Sequence, residues 1–170
     1  MPATPDALFQ RLDELGIAHA THHHPPLFTV ADSKVLRGNL PGGHCKSLFL
    51  KDKRGQLYLV VALEDRALDL KRLRHRLGAS NLSFGSAELL YEVLGIRPGA
   101  VSPFAVLNDG TLRVQVVLDQ AMLRLDPLNY HPLTNEMTTA IAPDGLVNFL
   151  KASGHPPIVV DLDDLEAPRT

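Results

Sequence analysis

Along the 170 residues, apolar positions alternate between helical and extended spacing. Leu8, Leu12 and Leu15 recur every three or four residues behind Thr4 and Asp6, which predicts a first helix that Gly16 ends. The segment from Ile17 to Pro26 carries too few apolar residues for another helix and runs into two prolines, so it reads as a short extended piece passing into a loop. A short helix is expected next, capped by Thr29 and holding Val30, Ser33, Lys34 and Arg37, before a Gly- and Pro-rich loop over 38–43. The clearest unit is CKSLFLKD, the turn KRGQ and LYLVVAL, a β-hairpin over 45–63. A cationic helix follows, with Leu70, Leu73 and Leu77 on its apolar side and Gly78 as its stop. After NLSF, the stretch SAELLYEVLG predicts a further helix closed by Gly95. FAVLNDGTLRVQVVLD repeats the hairpin signature, with Asn108-Asp109-Gly110 as its turn. A strand at 136–141, a helix at 143–152 and a strand at 158–160 complete the expected core.

Hairpins mixed with helices at irregular intervals imply an α+β fold: a single domain over 1–162 with a mixed, largely antiparallel sheet, and an acidic tail over 163–170. A chain of this size buries roughly 70% of its unfolded surface without needing staples. The single cysteine, Cys45, permits no disulfide framework and favours a reducing compartment. The N-terminus lacks a basic segment followed by an apolar one, and the longest apolar runs are far too short to span a bilayer. A cytoplasmic protein with no membrane partner is therefore expected.

Several residues invite chemistry. His19 and His22 to His24 offer imidazoles, but consecutive extended residues point to opposite faces and no second ligand cluster accompanies them, so no metal is expected. In a strand, His44 and Lys46 face away from Cys45, which therefore reads as an inert thiol rather than a nucleophile. Lys46 stands at a strand start just after the glycine-rich loop, where an ordinary lysine is a solvated group and a functional one reaches out at a sheet edge. GAVSP, over 99–103, is a loop whose glycine permits close backbone approach and whose proline stiffens its far end. HPLTNEMTTAI, over 131–141, is unusually polar for a segment ending in a strand; His131, Thr134, Asn135, Thr138 and Thr139 all offer hydrogen bonds. No phosphate-binding glycine motif or zinc-protease motif occurs.

Together TVADS (29–33), GGHCKSLFLKD (42–52), LYLVVAL (57–63), GAVSP and HPLTNEMTTAI resemble the YbaK/prolyl-tRNA-synthetase-associated domain family, most closely its free-standing ProXp-ala type. The resemblance runs in order over roughly residues 5 to 162. It implies an aminoacyl-tRNA deacylase, without cofactor, that acts in trans on alanyl-tRNA(Pro) made in error by a prolyl-tRNA synthetase. The alternatives are a deacylase for serine or cysteine, or a non-catalytic tRNA- or synthetase-binding module of the same fold. The family's essential lysine falls on Lys46, its G-x-x-x-P loop on Gly99 and Pro103 with Ser102 inside, its histidine on His131, and its pocket-lining T-V pair on Thr29 and Val30. Asn135 is a further substrate-binding candidate. Other members carry a carboxylate near Ala31; here the nearest is Asp32.

Ester hydrolysis needs a positioned water, donors for the oxyanion and a grip on the terminal adenosine. In that scheme Gly99 and its loop offer backbone donors, and Lys46 holds a phosphate or ribose as a point charge, because an ordinary lysine is protonated at pH 7. His131 either acts as base or positions the substrate while the tRNA's vicinal hydroxyl orients the water. Val30, Leu48 and Phe49 are candidates to bound a cavity that admits a methyl group and refuses a pyrrolidine ring.

Formal charge is −2, with 17 basic against 19 acidic residues, which by itself argues against nucleic acid. The last ten residues hold four carboxylates and one arginine, and the remainder carries 16 basic and 15 acidic groups. Lys51 on the hairpin and Lys71, Arg72, Arg74 and Arg76 on the cationic helix are the expected tRNA contacts. Binding is expected to be weak and salt-sensitive, with transient contact to prolyl-tRNA synthetase or an elongation factor.

Overall fold

The computed structural model describes residues 2–25 and 40–165. The helix expected around Thr29 to Arg37, with Thr29 and Val30 themselves, lies outside the described residues. The first helix, α1, runs Pro5–Glu14; Thr4 caps it by accepting the Ala7 amide at 3.1 Å, and Leu8 and Leu12 are fully buried. Strand β1 (His19–His23) follows, then β2 (Gly43–Asp52) and β3 (Leu57–Leu63), the expected hairpin, paired antiparallel from Cys45 opposite Leu63 to Lys51 opposite Leu57. Helix α2 (Leu70–Leu77) is the cationic helix, capped by Asp69 on the Lys71 amide. Next come β4 (Leu82–Phe84) and α3 (Ala87–Leu94), the latter capped by Ser86. The remaining elements are β5 (Val114–Asp119), β6 (Leu128–Tyr130), β7 (Met137–Ile141), α4 (Pro143–Ala152) and β8 (Ile158–Val160).

The eight strands form one mixed sheet in the order β1-β7-β6-β2-β3-β5-β8, with β4 also paired to β2. Alternation along the central strands sorts side chains into two cores. Phe49, Leu57, Leu59 and Val61 pack with α1, α3 and α4, whereas Leu50, Tyr58, Val60 and Ala62 pack with Leu73 of α2 and with Leu162 and Leu165. Each fully buried leucine here contributes roughly 1.5–3 kcal/mol relative to an exposed one. Residues 161–165 thus close the second core, and the short 3-10 helix Asp163–Leu165 lies against the sheet layer.

One expected element is corrected. Residues 104–119 do not form a hairpin: Pro103–Asn108 is a 3-10 helix, and β5 pairs in parallel with both β3 and β8. Phe104, Ala105 and Val106 are buried consecutively, a pattern that suits a helical turn and defeats alternation. The turn expected at Asn108 to Gly110 is a buried polar knot instead, where Asp109 accepts the amides of Arg113 and Val114 and pairs with His155 at 2.9 Å. Strand β6 has no counterpart in the sequence pattern, because three residues are too few to display a period.

Candidate active site

Strand β2 changes neighbours along one edge. Gly43 and His44 pair in parallel with Leu128 and Asn129 of β6, while Leu50 to Asp52 pair antiparallel with β4. Gly42 makes the first junction possible. Its φ of +97° favours glycine, and a Cβ there would lie 2.1 Å from the Pro127 carbonyl oxygen, while the next amide, of Gly43, donates to that same oxygen at 2.8 Å. Between the two pairings a cavity of about 60 Å³ is lined by Cys45 and Ser47 of β2, Asn129 and Tyr130 of β6, His131, Thr138 of β7, Val101, Glu64, Leu40 and His44.

His131 follows β6 directly. Its Nδ1 lies 3.0 Å from the Met137 carbonyl, which can only accept, so Nδ1 carries the proton and the uncharged ring presents Nε2 as an acceptor. Burial pushes its pKa below the ordinary histidine value, with the nearby His24 acting in the same direction and the Met137 carbonyl opposing them. The ring meets that of His24 edge-on at 6.3 Å. The neighbouring loop is Gly99 to Pro103. Gly99 has φ +94°, and Asn135 Nδ2 lies 3.7 Å from where its Cβ would be, so the two loops singled out in the sequence adjoin. Ala100's amide donates to the Arg97 carbonyl, Pro103 opens the 3-10 helix, and Ser102 is buried. Among the described residues, Ser102 Oγ is the one buried side-chain polar atom without a hydrogen-bond partner.

Lys46 stands apart from this cavity. Cys45 and Ser47 line it, and the intervening side chain points to the opposite face, where its ammonium donates to the Arg66 carbonyl. Arg66 itself is held by Asp119 at 2.6 Å and by Asp163. Of the residues expected to bound the cavity, Leu48 packs into the α2 core and Phe49 into the other core beside Gly85, so neither lines it; Leu40, Val101 and Tyr130 supply its apolar wall. The thiol of Cys45 is pushed up to about 12 by burial, with hydrogen bonding to Tyr130 opposing, so it is un-ionised at neutral pH.

The expected tRNA contacts split between the two faces. Lys51 alternates with Leu50 and so points away from α2. On α2, Lys71 is exposed, Arg72 faces Asp69, Arg74 bonds to Asn81, and Arg76 reaches both the Asp161 carbonyl and the Asp164 carboxylate at 2.8 Å. The acidic segment thus folds back on the basic helix. The N-terminal histidines are structural in part: His19 stacks on Phe9 at 5.5 Å and bonds to Asp13. Among the described residues no three His, Cys, Asp or Glu side chains come together as a metal site, and no helix is long and apolar enough to cross a membrane.

Sequence reasoning passed over His44, Ser47, Glu64, Asn129 and Tyr130 as cavity residues. Their only signal was proximity to the two motifs, since the pairing of β2 with β6 spans more than 80 residues. Known proteins resemble the chain in sequence and in fold. Residues 24–149 match the family model described as the aminoacyl-tRNA editing domain. The chain is 37% identical over 150 residues to the prolyl-tRNA editing protein ProX of Acetoanaerobium sticklandii, covering 88% of this chain and 92% of that one. It is 37% identical over 163 residues to the prolyl-tRNA synthetase associated domain-containing protein 1 of Bos taurus, covering 92% and 94%. A crystal structure described as a candidate trans-editing enzyme for prolyl tRNA synthetase superposes with a TM-score of 0.73 at 20% identity, over 99% of this chain and 100% of that one. The chain belongs to the aminoacyl-tRNA editing domain family and is an aminoacyl-tRNA deacylase.

Proposed function

We propose that this deacylase acts in trans, in the cytoplasm, on alanyl-tRNA(Pro), releasing alanine and free tRNA(Pro). The observation that carries the reading is the small cavity beside His131, about 60 Å³ with an apolar wall of Leu40, Val101 and Tyr130. An apolar wall of that kind suits a short aliphatic side chain such as the methyl group of alanine. The relative named prolyl-tRNA editing protein ProX supports the choice of tRNA(Pro).

In the proposed reaction, a water attacks the ester carbonyl carbon, the carbon–oxygen bond to the terminal ribose breaks, and the ribose oxygen leaves with a proton. His131 presents Nε2 as an acceptor that holds this water, and the vicinal ribose hydroxyl assists it. Backbone donors of the Gly99 loop face the developing oxyanion, where one such donor is worth about 3–4 kcal/mol. Thr29, Val30, Ser102, Pro103 and Asn135 complete the substrate contacts. Lys46 serves as a point charge for the 3′ end, and Lys51, Lys71, Arg72, Arg74 and Arg76 contribute phosphate contacts whose affinity falls with salt. Contact with the synthetase or an elongation factor is transient.

A deacylation panel of Ala-, Ser-, Cys- and Pro-tRNA(Pro) tests activity and specificity together. Fastest release is expected from the alanyl ester, with Lys46→Ala abolishing it. Preference for serine or cysteine would move the specificity, full activity of Lys46→Ala would remove the lysine's role, and tRNA binding without cleavage of any ester would make the chain a binding module.

A further inference from the structure

The third histidine of the His22–His24 run has no place in the reaction above, yet it is built into the cavity wall. Its backbone amide donates to the Glu136 carbonyl at 2.9 Å, continuing the β1–β7 pairing one residue past the strand. Its Nδ1 lies 2.8 Å from the Pro25 carbonyl, and its Nε2 lies 2.8 Å from Thr138 Oγ1. A carbonyl oxygen can only accept, so Nδ1 carries the ring proton and Nε2 of the neutral ring is an acceptor. The Thr138 hydroxyl therefore spends its hydrogen on His24. Thr138 is 6% exposed and lines the cavity, so its oxygen offers that cavity lone pairs and no donor.

Two neighbouring groups share this polarity. His131 presents Nε2 as an acceptor because Nδ1 is committed to Met137, and Glu64 adds a carboxylate to the lining. A small cavity with an apolar wall on one side and acceptors from three elements on the other fits a compact group bearing several N–H bonds beside a short alkyl chain. In an aminoacyl ester that group is the α-amine, a donor whether charged or neutral.

We propose that Thr138 binds the α-amino group of the aminoacyl moiety and that His24 is the positioning residue that fixes the threonine hydroxyl as an acceptor. The assignment rests on the deacylase reading and extends it to the part of the substrate that distinguishes an amino acid from any other acyl group. It explains why a histidine from the N-terminal run and a threonine 114 positions later are joined in the wall of the cavity.

The test compares alanyl-tRNA(Pro) with propionyl-tRNA(Pro), which has the same carbon chain and no amine. Thr138→Val keeps the side-chain shape and removes the oxygen. Its kcat/KM on the alanyl ester is expected to fall about 10- to 100-fold, the range for losing one hydrogen bond to a charged group, and to be unchanged on the propionyl ester. Thr138→Ser restores the alanyl rate to within about threefold, since the hydroxyl returns. His24→Phe, which keeps a ring against His131 and removes the acceptor, also lowers only the alanyl rate, and adds little in the Thr138→Val background. Equal losses on both esters in Thr138→Val and His24→Phe, or a Thr138→Ser variant as impaired as the valine, would overturn the assignment. Should Thr138→Val not fold, the two-ester comparison with His24→Phe alone decides it. Failure of the wild-type protein to hydrolyse either ester would instead refute the deacylase reading.

Discussion

Asp119 is the residue whose removal should damage both stability and the environment of Lys46. It ends β5 and is fully buried, with Oδ2 accepting from the Leu63 amide at 3.1 Å and from Arg66 Nε at 2.6 Å, and Oδ1 accepting from the Ala121 amide at 3.1 Å. Arg66 is 7% exposed; burial works against its charge, and Asp119 and Asp163 more than offset it, raising the guanidinium pKa further above its ordinary value. Asp119→Ala strips the guanidinium of its buried partner, leaving Asp163, whose side chain is 66% exposed, and deprives two backbone amides of an acceptor. Breaking a buried pair from one side costs about 3–5 kcal/mol. In a chain of this size that corresponds to a fall in Tm of roughly 6–20 °C, at about 2–4 °C per kcal/mol. Urea unfolding, at about 1–3 kcal/mol per molar, reads the same loss as a midpoint displaced by one molar or more. The double variant with Arg66→Met should lose less than the sum of the single variants, because each single change leaves the other charge stranded. A loss under about 1 kcal/mol, or strict additivity with Arg66→Met, would refute the reasoning. Since Lys46 donates to the Arg66 carbonyl, deacylation by Asp119→Ala should also drop at temperatures where the variant is fully folded.

Two further outcomes follow from the cavity. Cys45, with its thiol pushed up to about 12, should resist alkylation in the native protein at pH 8 and react fully in urea; rapid native labelling would restore the nucleophile reading. His131 has its pKa held below the ordinary histidine value, so the active uncharged ring is present throughout the neutral range and is lost only as pH falls through that lowered value. The acid limb of kcat/KM, corrected for spontaneous ester hydrolysis, should therefore lie below pH 6.5 and vanish in His131→Asn; a midpoint above pH 7 would show that another group governs the reaction.

Periodicity located most of the elements because burial follows it directly: Leu8 and Leu12 of α1, Leu73 of α2, and the alternating faces of β2 and β3 are where their spacing puts them. It failed where burial is consecutive, as at Phe104 to Val106, and where a strand is only three residues long, as at Leu128 to Tyr130. Strand parity alone separates Cys45 from Lys46. The likeness of the motifs to a known family brought Gly99, Asn135 and His131 into one list; His131 and Asn135 share the loop that joins the paired strands β6 and β7, and the Gly99 loop adjoins it at Asn135. Nothing local could announce the bond of His24 to Thr138, because it depends on β1 crossing the chain to pair with β7.

The position of Lys46 bears on how a tRNA would approach. Its backbone lies between two cavity residues, and its side chain emerges on the face that carries α2. A general base would have to reach into the cavity toward His131, whereas the Lys46 ammonium is turned to the other face and donates to the Arg66 carbonyl. The geometry argues against a base. It also gives the acidic segment a consequence that net charge concealed: Asp164 and the Asp161 carbonyl already occupy Arg76, so a phosphate binding there must displace an intramolecular partner. Part of the attraction of α2 for a polyanion is thereby cancelled within the chain.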